Sequence, residues 1–276
     1  MKSKEFRRLA RENLNGRWGN FALITFLYML FVWLIGMASN SIPIIGPIAI
    51  YIISPVMSFG FINQMILLKN GVNVDCLDFL TFGFKKFADV WKIFGWLMLK
   101  YLGPIIMFFV AIMLMTGGIV ANTIFSITSY NMNQVTTITP EMLSTPEVFV
   151  ENQMQMTVGR TAEIISFMII LLSLALCIGA TIWLIPLSYK YAFVYYELAM
   201  SPGMSPKDIV ELSGRKMIGN RWKYFKLTLS FIGWYLLACL GLGIPLFWIT
   251  PYMTMASVFF YVWVSQEYQN NGTINY

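Results

Sequence analysis

Residues 164–187 read IISFMIILLSLALCIGATIWLIPL, twenty-four positions without a charge. Wound as a helix at 1.5 Å per residue, such a run is about 36 Å long. The hydrocarbon core of a bilayer is about 30 Å thick and takes roughly 20 apolar residues per crossing. The run is therefore read as a transmembrane helix, and the chain around it follows the same pattern. Of 276 residues, 58% are hydrophobic and only 12% are charged, where a soluble domain carries about a quarter charged residues.

Working outward, the apolar blocks predict six spans: Phe21–Ala38, Ile44–Leu68, Ile93–Val120, Ile164–Leu187, Leu227–Leu242 and Leu246–Val264. The stretch from Trp91 to Ile127 is long for one span, which implies tilt or a re-entrant end. The first block has a basic leader and small residues near Gly36, but its core is long for a signal peptide and a second span follows at once, so it is read as a retained helix.

The basic residues set the orientation. Lys2, Lys4, Arg7, Arg8, Arg11 and Arg17 precede the first span; Lys69, Lys85, Lys86 and Lys92 separate spans two and three; seven more lie from Lys190 to Lys226. The opposite side carries Arg160 with Glu141, Glu147, Glu151 and Glu163. The positive-inside rule then predicts cytoplasmic N- and C-termini in a plasma membrane. The expected organisation is a single transmembrane domain over 1–276, with a cytoplasmic amphipathic N-terminus at 1–20, an extracytoplasmic loop at 129–160 and a cytoplasmic amphipathic segment at 188–226.

A short pattern recurs at the membrane edge: Trp18-Gly-Asn-Phe21, Trp91-Lys-Ile-Phe94 and Trp222-Lys-Tyr-Phe225. Trp and Phe three apart share a helix face. Each copy follows a segment with helical apolar spacing: Phe6, Leu9, Ala10 and Leu14; then Leu77, Leu80, Phe84, Phe87 and Trp91; then Ile209, Leu212 and Met217. The third segment has a start signal in Ser205, Pro206 and Asp208. The fold expected is all-α, a polytopic helical bundle of about six spans arranged as three hairpins, each preceded by an amphipathic interfacial helix. Trp18, Phe21, Trp91, Phe94, Trp222 and Phe225, with Arg215, Lys216, Arg221 and Lys223, are the candidate membrane-interface or lipid contacts.

The chemistry available is narrow. There is no histidine, and Cys76, Cys177 and Cys239 show no disulfide framework or metal spacing. No nucleophile elbow or phosphate loop occurs. The net charge of +6 flanks apolar blocks, which argues for topology and against nucleic acid as a partner. No catalytic residues, cofactor or metal are expected. Lys100, Asn63 and Gln64 are the candidate intramembrane polar residues; Lys100 either snorkels to the headgroups or lines a path, and its shallow depth favours snorkelling. Lys190 and Glu197, seven apart on the extension of span four, share a face in a Tyr-rich stretch read as an interface belt. Asp75 and Asp78 are read as helix caps.

Further residues carry a resemblance. Ile185-Pro-Leu-Ser-Tyr189, Tyr196-Glu-Leu-Ala199, Glu211-Leu-Ser213, Met217-x-Gly219-x-Arg221-Trp-Lys223-x-Phe225, Leu229-Ser-Phe-Ile-Gly-Trp234 and Trp248-x-x-Pro251-Tyr252 run through the C-terminal third. Ala10-Arg-Glu12 with Leu14-x-Gly16-x-Trp18, then Asp78-Phe-Leu80 and Gly83-Phe-Lys-Lys-Phe87, extend the match upstream. Together they resemble the DUF975 family of bacterial integral membrane proteins and, more distantly, the membrane domain attached to some glycerophosphodiester phosphodiesterases. The family usually has a short connection where Ser129–Arg160 stands. The resemblance implies membrane architecture and location and carries over no activity or site residue.

The function expected is that of a non-enzymatic membrane component that binds lipid, a peptide or another membrane protein. A transporter or permeation subunit for a small solute or lipid is the alternative, motivated by repeated hairpins and Pro55, Pro104, Pro186 and Pro251 in or near the spans.

Overall fold

The computed structural model describes the backbone of residues 1–41, 45–72, 74–135 and 146–273, and the side chains of 1–37, 48–72, 74–127 and 160–270. These residues are helical wherever they are regular. In order they form α1 (Ser3–Leu14), α2 (Trp18–Ser41), α3 (Ile45–Lys69), α4 (Asp78–Lys85), α5 (Phe87–Val135), α6 (Pro146–Lys190), α7 (Val194–Met200), α8 (Pro206–Lys216), α9 (Arg221–Leu229), α10 (Ile232–Leu240) and α11 (Leu246–Thr273). Five of them, α2, α3, α5, α6 and α11, are long and apolar enough to cross a membrane.

The expected fifth span is divided. α9 and α10 are nine residues each, and the chain turns between them at Ser230 and Phe231. The turn carries Phe231 into the core against Tyr252, with ring centroids 5.1 Å apart. Within 129–160, expected as an extracytoplasmic loop, α5 runs on to Val135 and α6 begins at Pro146. Residues 136–145 lie outside the described part, as do the side chains of Met142, Leu143, Val148 and Phe149 and the first hairpin turn at 42–44.

The chain forms two compact units, Met1–Lys100 with Pro186–Tyr276, and Tyr101–Ile185. In the first, α11 is the central helix. Its Tyr252, Met255, Ala256, Phe260, Tyr261 and Val264 are all buried. The N-terminal α1, expected to rest its apolar stripe on lipid, packs on protein instead. Phe6 lies 5.1 Å from Phe260 and 5.7 Å from Trp263, and Ala10 and Leu14 are fully buried beside it. Tight contact between α3 and α4 rests on two glycines. A Cβ on Gly60 would collide with the Phe79 carbonyl, and one on Gly83 would meet the Val56 carbonyl oxygen at 2.5 Å.

Prolines in the spans leave carbonyls short of a donor one turn earlier. Pro55 in α3 frees the Tyr51 carbonyl in this way, and at the neighbouring Ile52 carbonyl the Trp91 indole N–H donates at 3.2 Å. This fixes one of the repeated tryptophans against a span.

The second unit is an antiparallel pair of helical segments. Its buried positions repeat every seven residues: Pro104, Ala111 and Gly118 on α5, and Ser166, Ser173 and Ala180 on α6. A seven-residue repeat keeps one seam facing its partner along the length of a helix pair, and small residues at the seam let two helices approach closely in lipid. The contacts give the register: Gly103 faces Trp183, Gly179 faces Met107, and Gly118 faces Ile169. Away from the seam the surface is apolar and exposed, as at Phe109, Met113, Phe167 and Met168. Thr116 and Thr181 return their hydroxyls to the carbonyls of Ile112 and Cys177, which shields these two hydroxyls from lipid.

Candidate functional site

Charge is concentrated where α7, α8, α9 and the end of α11 meet. Glu197 on α7 is 1% exposed. Its Oε2 accepts from Lys216 Nζ at 2.7 Å and from the Tyr261 hydroxyl at 2.9 Å, and its Oε1 accepts from Ser201 Oγ at 2.8 Å. Lys216 also donates to Ser265 Oγ at 3.3 Å. A buried carboxylate is tolerated only with such pairing. Lys190, expected to share a helix face with Glu197, has its ammonium 5.0 Å over the Tyr191 ring. Lys216 was expected to meet lipid, and the structure commits it to Glu197 with a side chain only 12% exposed. The signal was legible: Ile209, Ser213, Lys216 and Asn220 recur at three- and four-residue spacing, which is the buried stripe of this segment.

A second polar set lies one turn on. Asn220 donates to Glu267 at 3.0 Å, and Lys223 approaches the same carboxylate at 3.8 Å while its ammonium sits 4.8 Å over Trp263. Tyr224 meets Ser257 Oγ at 3.2 Å, and burial raises its phenol above the usual value. Among the described residues, no group of three His, Cys, Asp or Glu is placed to hold a metal ion.

The repeated Trp-x-x-Phe pairs have three different fates. Trp18 is half-buried against Tyr252 and Phe21 is buried. Trp91 touches Phe94 at 5.1 Å, both half-buried. Trp222 stacks on Phe225 at 4.8 Å and is 62% exposed, with Lys226 over its ring. Arg215 is exposed and Arg221 half-buried. Gln64 is buried, with its amide donating to the Asp75 carbonyl at 2.7 Å, and Asn63 is half-buried. Asp78 accepts from the Asp75 backbone N–H at 2.9 Å and opens α4, while Ser205 caps α8 by accepting from the Asp208 N–H at 3.2 Å.

The α4 stripe is oriented opposite to the α1 stripe. Phe79 and Gly83 face α3, which leaves Leu77, Phe84 and Phe87 exposed beside exposed Lys85. Lys100 is exposed on α5, one turn beyond half-buried Trp96. Lys207 of α8 lies 5.8 Å over that indole. Beyond Lys100, α5 carries no further charge. Sequence reasoning missed Trp96 and Lys207 because they are 111 positions apart.

The sequence model of DUF975, described as a protein of unknown function, matches residues 1–268. The chain belongs to the DUF975 family. In this DUF975 chain the match takes in α1 to α10 whole, including the extensions of α5 and α6, and α11 as far as Tyr268. No curated protein and no solved structure matches it.

Proposed function

We propose that this chain is a multi-pass bacterial plasma-membrane protein, with its basic side and both termini cytoplasmic, that acts by binding anionic lipid. The observation that carries this is α4. Its inner face is locked on α3 through Gly60 and Gly83, yet its outer face presents Leu77, Phe84 and Phe87 beside Lys85. An apolar stripe edged by lysine suits the boundary between acyl chains and headgroups. Exposed Trp222, with Lys226 above it, supports the same reading.

The test is native mass spectrometry of the full chain extracted gently from its own membrane. Retention of an anionic phospholipid in stoichiometric amount is expected. A stoichiometric protein partner, or a neutral lipid only, would overturn the lipid reading.

The division between α9 and α10 favours a second reading, transport of a small solute. Interrupted helices expose backbone groups that build solute sites in transporters. Here, however, the Ser230 carbonyl at the break already accepts from the Arg7 guanidinium at 3.2 Å. A small solute retained in that extraction would favour transport.

A further inference from the structure

We propose that Lys92, Lys100 and Lys207, grouped around the Trp96 indole, hold the phosphodiester of an anionic phospholipid. This rests on the lipid-binding reading above and assigns it a site. Lys92, Trp96 and Lys100 follow one another at four-residue spacing on α5, so they share one helix face. Lys207 reaches the same indole from α8, 5.8 Å from the ring centroid. All three lysines are exposed.

Their charge is not cancelled from within the chain. Among the described residues no ion pair engages Lys92, Lys100 or Lys207. Two acids on neighbouring elements have cations of their own: Asp89 pairs with Lys86 at 3.3 Å, and Glu197 is enclosed with Lys216. Asp208, which accepts from Ser205 Oγ at 2.7 Å, and half-buried Glu211 on α8 leave three cations against two carboxylates.

Position selects a lipid over a soluble phosphate. Lys100 is the last charged residue of α5 before its long uncharged run, and Leu99 and Leu102 beside it are exposed. A phosphodiester at the lysines therefore has acyl chains in contact with apolar side chains. Trp96 supplies the amphipathic ring that favours this depth. A choline headgroup would add a fourth cation to the cluster, so the site selects net-negative headgroups.

The experiment titrates the full-length chain in detergent with dioleoyl phosphatidylglycerol, and separately with dioleoyl phosphatidylcholine, by native mass spectrometry. The wild type should favour phosphatidylglycerol. The K100Q/K207Q variant should lose about thirtyfold in affinity for it, at an expected attraction of about 1 kcal/mol per lysine, with no change for phosphatidylcholine. K207Q alone should lose about fivefold by the same reckoning, and it serves if the double variant loses wild-type helicity. Glycerol phosphate in excess should not compete. If it displaces the lipid, the site takes a soluble phosphate and the proposal falls. If the wild type prefers phosphatidylglycerol and both variants match it, this site is wrong while the lipid reading stands, and K85Q/K86Q on α4 then locates the binding. If the wild type shows no preference between the two lipids, the site and the lipid reading fail together.

Discussion

A carboxylate withdrawn from water must find a cation and hydrogen-bond donors already in place, and at Glu197 they come from three helices. Lys216 arrives from α8, Tyr261 from α11 and Ser201 from the end of α7 itself. Removing one member leaves the other charge buried without a partner, at a cost of about 3–5 kcal/mol. Lys216→Met should therefore lower the thermal midpoint of the detergent-solubilised protein sharply, and adding Glu197→Gln should recover part of the loss, because no lone charge then remains. A single and a double variant that melt like the wild type would show that the pair holds nothing together. The same residue-scale logic governs Arg7, whose guanidinium ties the N-terminal helix to the Ser230 carbonyl at the break between α9 and α10.

Among the elements, α1, α4 and α8 began as equivalent amphipathic segments and ended in different roles. α1 buries Phe6, Ala10 and Leu14 on protein, α8 buries Ile209 and Met217, and α4 keeps its aromatic edge exposed. What separates α4 is its glycine contact with α3. Gly60→Ala would drive a methyl group into the Phe79 carbonyl, backbone against backbone, where neither side can rotate away. Overpacking of this kind costs about 1–3 kcal/mol, and the rigid contact puts this site at the upper end. A lowered melting temperature with unchanged helical circular dichroism is expected. Gly95→Ala on α5, where a Cβ meets nothing within 4 Å, should melt like the wild type. Equal effects at the two positions would mean that the α3–α4 contact is not specific. The hairpin unit uses a different device, a seven-residue repeat of small residues that fits two helices along one seam while lipid solvates the rest.

For the whole molecule, the number of crossings decides which side each end occupies. Among the described residues five helices meet the length and hydropathy of a span, and α9 with α10 divides the fifth apolar block into two short pieces. If the pair crosses together, both termini share the basic side. Cysteines placed singly at Ser3, Leu242 and Tyr268, after replacing Cys76, Cys177 and Cys239, test this with a membrane-impermeant thiol reagent. Leu242 is 91% exposed in the turn before α11, where its φ is 51°. Labelling of Leu242→Cys in intact cells, with the other two labelled only after permeabilisation, is expected. Labelling of Tyr268→Cys in intact cells would establish an odd number of crossings.

By itself the sequence determined that this chain is helical, that it has several helices of membrane-spanning length, and that it belongs with DUF975, because each of these properties is written in contiguous residues. Hydropathy over twenty positions, a Ser205–Pro206–Asp208 cap and the Trp-x-x-Phe edges need no knowledge of what lies across space. Only the tertiary structure decided that Glu197 pairs with Lys216 instead of Lys190, that Phe6 enters an aromatic core, that α4 alone keeps its apolar edge free, and that Lys207 reaches Trp96. The physical reason is that an apolar stripe records how much surface a helix must remove from water and not what will cover it. Protein and lipid both satisfy that demand, and the choice between them rests on contacts between residues far apart in the chain.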